Sequence, residues 1–411
     1  RFEKSGSENF QEGWQSGTSL VITVKRPGTA EPMDFQVDRE EVKVPDVPFY
    51  SMVDDKTGYI KLTGFTRTAS TEVRTAFKDL KDNEGMSQLI LDLRGNGGGL
   101  LRESVNIVNF FVPKGEEIVS TRGKLEDWNK THLALNEPLD KDMPLIVLID
   151  GRSASASEIV SGALQDFDRA VVVGNLSFGK GLVQQTKDVS YNSKLKLTVA
   201  KYYIPSGRCI QKLDYSHRDK DGDVGEVPDS LITPFTTLGG RPVFDGRGVS
   251  PDVEVELDPV SHMLMGLIKS HVDFHYATDY ALKVDSIEDP TTFRISDADY
   301  EAFTQFALTK EFDYSTDTER LLKKLKEAAD AEKYLDGSEA EFDALFAQIT
   351  PEKAKDLVKF KAQIKAHLEQ EIVSRYAYQT GRIRNFLDSD VVMDKAIEIF
   401  SSDYQDILTN N

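Results

Sequence analysis

PLIVLIDGRSASASEIVSGALQDFDRAVVVG (Pro144–Gly174) is the stretch on which the fold turns. Leu145–Ile149 is a short unbroken apolar run, and Val171–Val173 is another. Such runs suit strands of a sheet that is covered on both faces. Between them, Ser155–Phe167 has the apolar spacing of a helix, with Ser155 and Glu158 placed as a capping box at its start. Working outward, QLILDL (Gln88–Leu93), GYIKL (Gly58–Leu62) and LKLTVAKYY (Leu195–Tyr203) read as further strands, and Ser70–Asp82 as a helix. Strands alternating with helices predict an α/β core.

The chain has 411 residues, which at roughly 100–200 residues per domain predicts two or three domains. Residues 1–45 read as strands and turns. TSLVITVKRPG (Thr18–Gly28) and MDFQVDRE (Met33–Glu40) form a predicted hairpin, too little to be stable alone. Residues 46–257 hold the α/β pattern. Residues 258–411 are helix-rich and charged, with apolar residues at three- and four-residue steps in Glu319–Tyr334, Glu339–Ile349 and Glu352–Tyr378. The charges there read as a solvated face.

Fifty Lys and Arg against sixty-nine Asp and Glu leave a net charge of −19. That is the opposite of a nucleic-acid footprint, so no nucleic acid is expected as a partner. With 39% hydrophobic and 29% charged residues the chain is neither disordered nor collagen-like. No uncharged apolar run approaches the roughly 18 residues of a membrane span. Cys209 is the single cysteine, so an internal disulfide is excluded. Six histidines include no HExxH and no Cys/His array. The nearest grouping, His271 and His275, lacks the accompanying glutamate, and no metal is expected. The chain starts at Arg1 with no signal-like stretch after it, and a trimmed chain is expected.

Three segments carry the candidate chemistry: LDLRGNGGGLL (Leu91–Leu101), DGRSASASEIVSGALQD (Asp150–Asp166) and VVVGNLSFGKGLVQQ (Val171–Gln185). Each begins at the end of an apolar strand, where open α/β sheets bind ligands. GNLSFGKG (Gly174–Gly181) imitates a phosphate loop, but Gly181 stands where the magnesium-binding hydroxyl belongs, and LVQQTKDVSY after it favours an extended segment over a helix. Ser155 is read both as a helix cap and as a nucleophile. The following amide, that of Ala156, is unpaired within a helix and suits a developing oxyanion.

A serine nucleophile needs a base, and none of the three loops holds a histidine. Lys180 does lie in one, and a lysine serves if its amine is neutral. That requires a shift of about three units from the reference value of about 10.4, or roughly 4 kcal/mol. Burial against Phe178, Leu182 and Val183 is the expected source. Gln184, four residues on along an extended segment, is expected on the same side as Lys180. The glycines of RGNGGG (Arg94–Gly99) allow close backbone approach and a second oxyanion amide.

Together these segments, with AKYYIPSGRCIQ (Ala200–Gln211) and GRGVSPDVEV (Gly246–Val255), resemble the C-terminal processing peptidases, or tail-specific proteases, over about residues 15–257. The resemblance implies the α/β (α+β) protease core of that family. It makes Ser155 the nucleophile, Lys180 the general base and Gln184 the support of the lysine. It places the oxyanion donors on Ala156 and Gly98 and makes Glu158 and Asp166 supporting residues; substrate-binding residues are not assigned. It implies an endopeptidase acting near accessible C-termini of protein or peptide substrates through an acyl-enzyme, without cofactor. It also implies a place outside the cytoplasm, in the periplasm or at a membrane reached only through a missing N-terminal segment, and it allows a homo-oligomer. Residues 17–47 resemble the end of the family's PDZ domain, without its carboxylate-binding loop. The helical region resembles extensions of Bacteroidetes members. A non-catalytic PDZ-bearing scaffold is the alternative, and a nucleotide hydrolase a more distant one.

Overall fold

Among the described residues, 16–409 apart from 219 and 221, the computed structural model begins with a hairpin, β1 (Ser19–Val24) against β2 (Met33–Asp38), paired antiparallel as the alternation predicts. Trp14 and the rest of residues 1–15, part of the expected PDZ-like module, lie outside the described residues.

The chain then builds β3 (Phe49–Met52), β4 (Thr57–Lys61), α1 (Ala69–Asp82), β5 (Gln88–Asp92), α2 (Leu101–Val108), β6 (Glu117–Gly123), β7 (Lys130–Leu133), β8 (Leu145–Ile149), α3 (Ala156–Asp166), β9 (Val171–Gly174), β10 (Leu182–Asp188) and β11 (Lys194–Tyr203). Two short hairpins follow, β12 (Leu213–Arg218) with β13 (Val224–Glu226) and β14 (Pro234–Thr236) with β15 (Pro242–Phe244), and then β16 (Val253–Glu254). The central sheet runs β16-β9-β8-β5-β4-β3, parallel except for β3. All five residues of β8 and all four of β9 are buried, the reason their sequences are continuous apolar runs rather than alternating ones. Helix α1 buries Val73, Ala76, Phe77 and Leu80. Every residue of α3 is buried. Each fully buried Leu, Ile or Val contributes about 1.5–3 kcal/mol.

A second, antiparallel sheet runs β10-β11-β6-β7. The segment after Gly181 is therefore a strand, and the helix that a phosphate loop requires is not formed there.

The helices α4 (His262–Lys269), α5 (Val272–Lys283), α6 (Asp297–Leu308), α7 (Asp317–Ala331), α8 (Glu339–Ile349), α9 (Lys353–Lys359) and α10 (Lys361–Leu387) form a separate compact unit with the β1–β2 hairpin. Its core includes Met263, Leu267, Phe303, Leu357, Leu368 and Ile372. The helical reading that ends at Tyr378 meets a break at Ala377–Tyr378, after which α10 resumes to Leu387.

The sequence reading extends one helical region to residue 411. In the structure residues 390–411 group with the α/β core, through α11 (Val391–Ser401) and α12 (Tyr404–Thr409). Arg94 donates to both Asp390 oxygens, at 3.0 and 2.6 Å, and the Leu145 N–H donates to the Tyr404 hydroxyl at 2.8 Å. An amphipathic helix does not record in its own sequence which core it covers.

Candidate active site

Strands β5, β8 and β9 are neighbours in the sheet, so the loops at their carboxyl ends emerge side by side. Hydrogen bonds tie them together. The Ser153 hydroxyl donates to the Leu93 carbonyl at 2.9 Å, and the Ala154 N–H and Ser157 hydroxyl both donate to the Asn96 carbonyl, at 3.0 and 2.8 Å. The Phe178 N–H donates to the Ser153 carbonyl at 3.0 Å. The three segments singled out in the sequence thus form one continuous rim.

Ser155 sits at the head of α3 with φ 57° and ψ −109°, a conformation a non-glycine residue rarely adopts. Such a backbone costs on the order of 1–3 kcal/mol and persists only where its surroundings fix it. Glu158 supplies much of that fixing. Its Oε2 accepts the N–H of Ser155 at 2.7 Å and of Lys180 at 2.9 Å; its Oε1 accepts the Ser177 hydroxyl at 2.5 Å and the Gly179 N–H at 2.6 Å. Glu158 is fully buried. Burial pushes its carboxyl above the usual range, against the pull of the four donors. The Tyr202 hydroxyl lies 2.6 Å from the Lys180 carbonyl and 3.1 Å from that of Ser155. The backbones of Ser155 and Lys180 are thus joined twice.

Their side chains open onto adjacent clefts. Ser155 and Ala156 line one of about 360 Å³, with Gln184, Trp128 and Tyr202. Lys180 lines another of about 660 Å³, with Cys209 and Lys201. Leu182 and Gln184 line both. Lys180 is flanked by Gly179, at φ +84°, and Gly181. Of its expected apolar cover, Phe178 is 49% exposed and Leu182 and Val183 are half-buried. In the β10–β11 pairing the extra residue is Val199 on β11, so β10 keeps its own alternation; Lys180 lies just before β10 begins, and it and Gln184 both line the larger cleft.

The Ala156 N–H finds no acceptor among the described residues. The Gly98 N–H donates to Asn96 Oδ1 at 2.9 Å, and Gly99 rather than Gly98 lines the Ser155 cleft. Gly98 has φ +93°, and a Cβ on it would stand 2.5 Å from the Ala154 carbonyl oxygen and 2.9 Å from the Ala156 nitrogen. The glycine is required by this approach of the two loops.

The start of the glycine loop is pinned by charge. Buried Asp92 accepts from Arg94 Nη2 at 2.8 Å, from the Tyr59 hydroxyl at 2.6 Å, and pairs with Lys61 at 3.0 Å. Burial alone would raise its carboxyl; Arg94 and Lys61 override burial and hold it well below the carboxylate range. At the other end of α3, Asp166 pairs with Arg208 at 2.9 Å, both fully buried. This fastens IPSGRCIQ (Ile204–Gln211) to the helix that carries Ser155.

Tyr202, Asn96 and Asp390 are structural partners the sequence reading did not single out. Nor was His132 connected to the site; it lies on β7 and lines the Ser155 cleft. Burial and Lys130 lower its pKa, so it is mostly neutral at pH 7. In the helical unit His271 is the left-handed cap of α5 and His275 packs edge-on against Phe274. Asp273, His367 and Glu371 do cluster, but Glu371 is already paired with Arg375 at 2.7 Å and Arg382 at 3.0 Å.

The profile described as peptidase family S41 matches residues 56–216, and one described as "Probable PDZ-protease, C-terminal helical domain" matches residues 263–400. A carboxy-terminal-processing protease of Bartonella bacilliformis is 42% identical over 199 residues, 48% of this chain and 45% of the relative. A carboxyl-terminal-processing protease of Picosynechococcus sp. is 32% identical over 266 residues, 64% of this chain and 54% of the relative. The chain spans about half the length of these relatives. A solved photosystem II D1 C-terminal processing protease is 26% identical, covering 59% of this chain and 56% of that one at a TM-score of 0.39. The S41 profile lies over the strands and loops that build the site, and over that region the chain is similar to carboxy-terminal-processing proteases of family S41.

Proposed function

We propose that the chain is a serine endopeptidase that cleaves protein substrates near their C-termini. Ser155 Oγ attacks the scissile carbonyl and passes its proton to Lys180 Nζ. The tetrahedral oxyanion rests on the Ala156 N–H and on the Gly98 N–H turned from Asn96. The intermediate collapses to an acyl-enzyme as the amine departs with the lysine's proton, and water then repeats the sequence to release the acid. Gln184 orients the amine. Before attack, the Lys180 side chain swings past Leu182 from its own cleft into that of Ser155, its backbone staying on Glu158 and Tyr202.

The observation that carries this reading is the single Glu158 oxygen that accepts the N–H of both Ser155 and Lys180. The test is cleavage of an unstructured protein by the chain beside its Ser155→Ala and Lys180→Ala variants. Loss in both variants supports the dyad. Equal cleavage by the variants, or none by the parent, overturns it; the second result leaves the scaffold. Residues 16–45 fit part of a substrate-capturing PDZ-like module, and action on exported substrates outside the cytoplasm follows from the same reading. No described helix is long and apolar enough to cross a membrane.

A further inference from the structure

The Ser155 cleft differs in charge from the chain around it. The whole protein carries −19, yet the cleft is lined by Arg102, Lys130 and His132 and by no Asp or Glu. None of the three makes an ion pair among the described residues. They come from two separate elements, Arg102 from α2 and Lys130 and His132 from β7. Arg102 and Lys130 are the cleft's cations, His132 being mostly neutral, and Lys187 adds a third at the margin, 5.9 Å over the Trp128 ring. The Trp128 wall is firmly seated: its carbonyl accepts the Thr121 hydroxyl at 2.6 Å, and Gly123 leaves it room, since a Cβ there would stand 2.8 Å from the Trp128 Cβ. The rest of the lining is largely apolar, with Leu101, Ile159, Leu182 and Val199.

Apolar walls beside unpaired cations fit one ligand chemistry. An apolar side chain gains from leaving water, and a carboxylate nearby satisfies cations that no protein acid satisfies. We infer that the Ser155 cleft selects peptides in which an apolar residue stands within a few residues of a carboxylate. The carboxylate is that of an Asp or Glu side chain, in addition to any recognition of the peptide's C-terminus. This rests on Ser155 as the nucleophile for its turnover, but not for its binding.

The test compares three peptides that share one apolar-centred sequence: one with Glu beside the apolar residue, one with Gln there, both C-terminally amidated, and the Gln peptide with a free C-terminus. kcat/KM is measured at about 50 mM and about 500 mM salt for the parent chain and for Arg102→Gln/Lys130→Gln. The expected result is a five- to ten-fold preference for the Glu peptide over the amidated Gln peptide, on the order expected of two or three partly exposed ion pairs, shrinking at high salt and collapsing in the double variant. A preference for the free C-terminus with none for Glu overturns the inference and leaves only the tail recognition of the proposed function. Equal rates on all three, or a preference that salt and the double variant leave untouched, overturns the inference. If nothing is hydrolysed, the peptidase reading fails, and equilibrium binding of the same peptides to the Ser155→Ala chain decides the selection on its own. Tighter binding of the Glu peptide supports it, and equal binding overturns it.

Discussion

Glu158 fixes the backbone of Lys180: its Oε2 accepts the Lys180 N–H at 2.9 Å, with the Ser155 N–H on the same oxygen at 2.7 Å. Glu158→Gln therefore cannot be conservative. Gln has one acceptor oxygen, so whichever way the amide turns, two of the four donors lose their partner. Unsatisfied buried donors cost about 1–3 kcal/mol. The expected outcome is at least a hundred-fold loss in kcat/KM with a melting point lower by about 5 °C, read by peptide hydrolysis and thermal denaturation.

The glycine loop offers a paired test. Gly98→Ala forces a side chain into the Ala154 carbonyl at a left-handed φ, whereas a Cβ on Gly97 meets nothing within 4 Å. Gly98→Ala should lose about a hundred-fold or more in kcat, and Gly97→Ala should stay within about three-fold of the parent. Equal effects of the two would argue against an oxyanion role for this turn.

If a lysine amine takes the serine proton, acylation measured in a single turnover should rise with pH. A rate flat from about pH 6 to about pH 10 would count against Lys180 as the base. Lys180→Arg should be inactive at every pH, because a guanidinium stays charged.

Asp92 predicts an acid limb in stability. Its folded carboxyl is held below the ordinary range, so the folded state binds that proton more weakly than the unfolded state. The stabilisation is complete above the unfolded value of about 3.9 and drains away as pH falls through it. Denaturant midpoints between about pH 6 and about pH 3 should fall for the parent and fall less steeply for Asp92→Asn, starting from a lower value.

Asp390→Ala removes two bonds from Arg94, whose side chain is 11% exposed. Breaking one partner of a buried pair costs about 3 kcal/mol or more. A melting point lower by about 6–10 °C is expected.

How legible all this was in the sequence depended on distance along the chain. Strands β5, β8 and β9 could be read because burial on both faces writes itself as unbroken Leu, Ile and Val. The link from Glu158 to Ser155 was readable as half of a capping box, since its partners are three residues apart. That Ser155 itself adopts φ 57° was not, because the Glu158 carboxylate that fixes it is held in turn by Ser177, Gly179 and Lys180, some 20 residues further on. Alternation puts Gln184 on the cleft that Lys180 lines, but the bulge at Val199 sits on the facing strand β11 and leaves no mark in the sequence of β10. The pairing of Arg94 with Asp390 joins residues 296 apart and leaves no local trace in either segment.

That last pairing bears on where the catalytic portion stops. The S41 profile match ends at residue 216 and the family-like segments by Val255, and a fragment ending at residue 257 would hold every signature among them. It would nonetheless strip Arg94 of one of its carboxylates and Leu145 of the Tyr404 phenol. A minimal core made from this protein has to be assembled from two stretches of chain, with residues 390–409 supplied either in continuity or as a separate peptide.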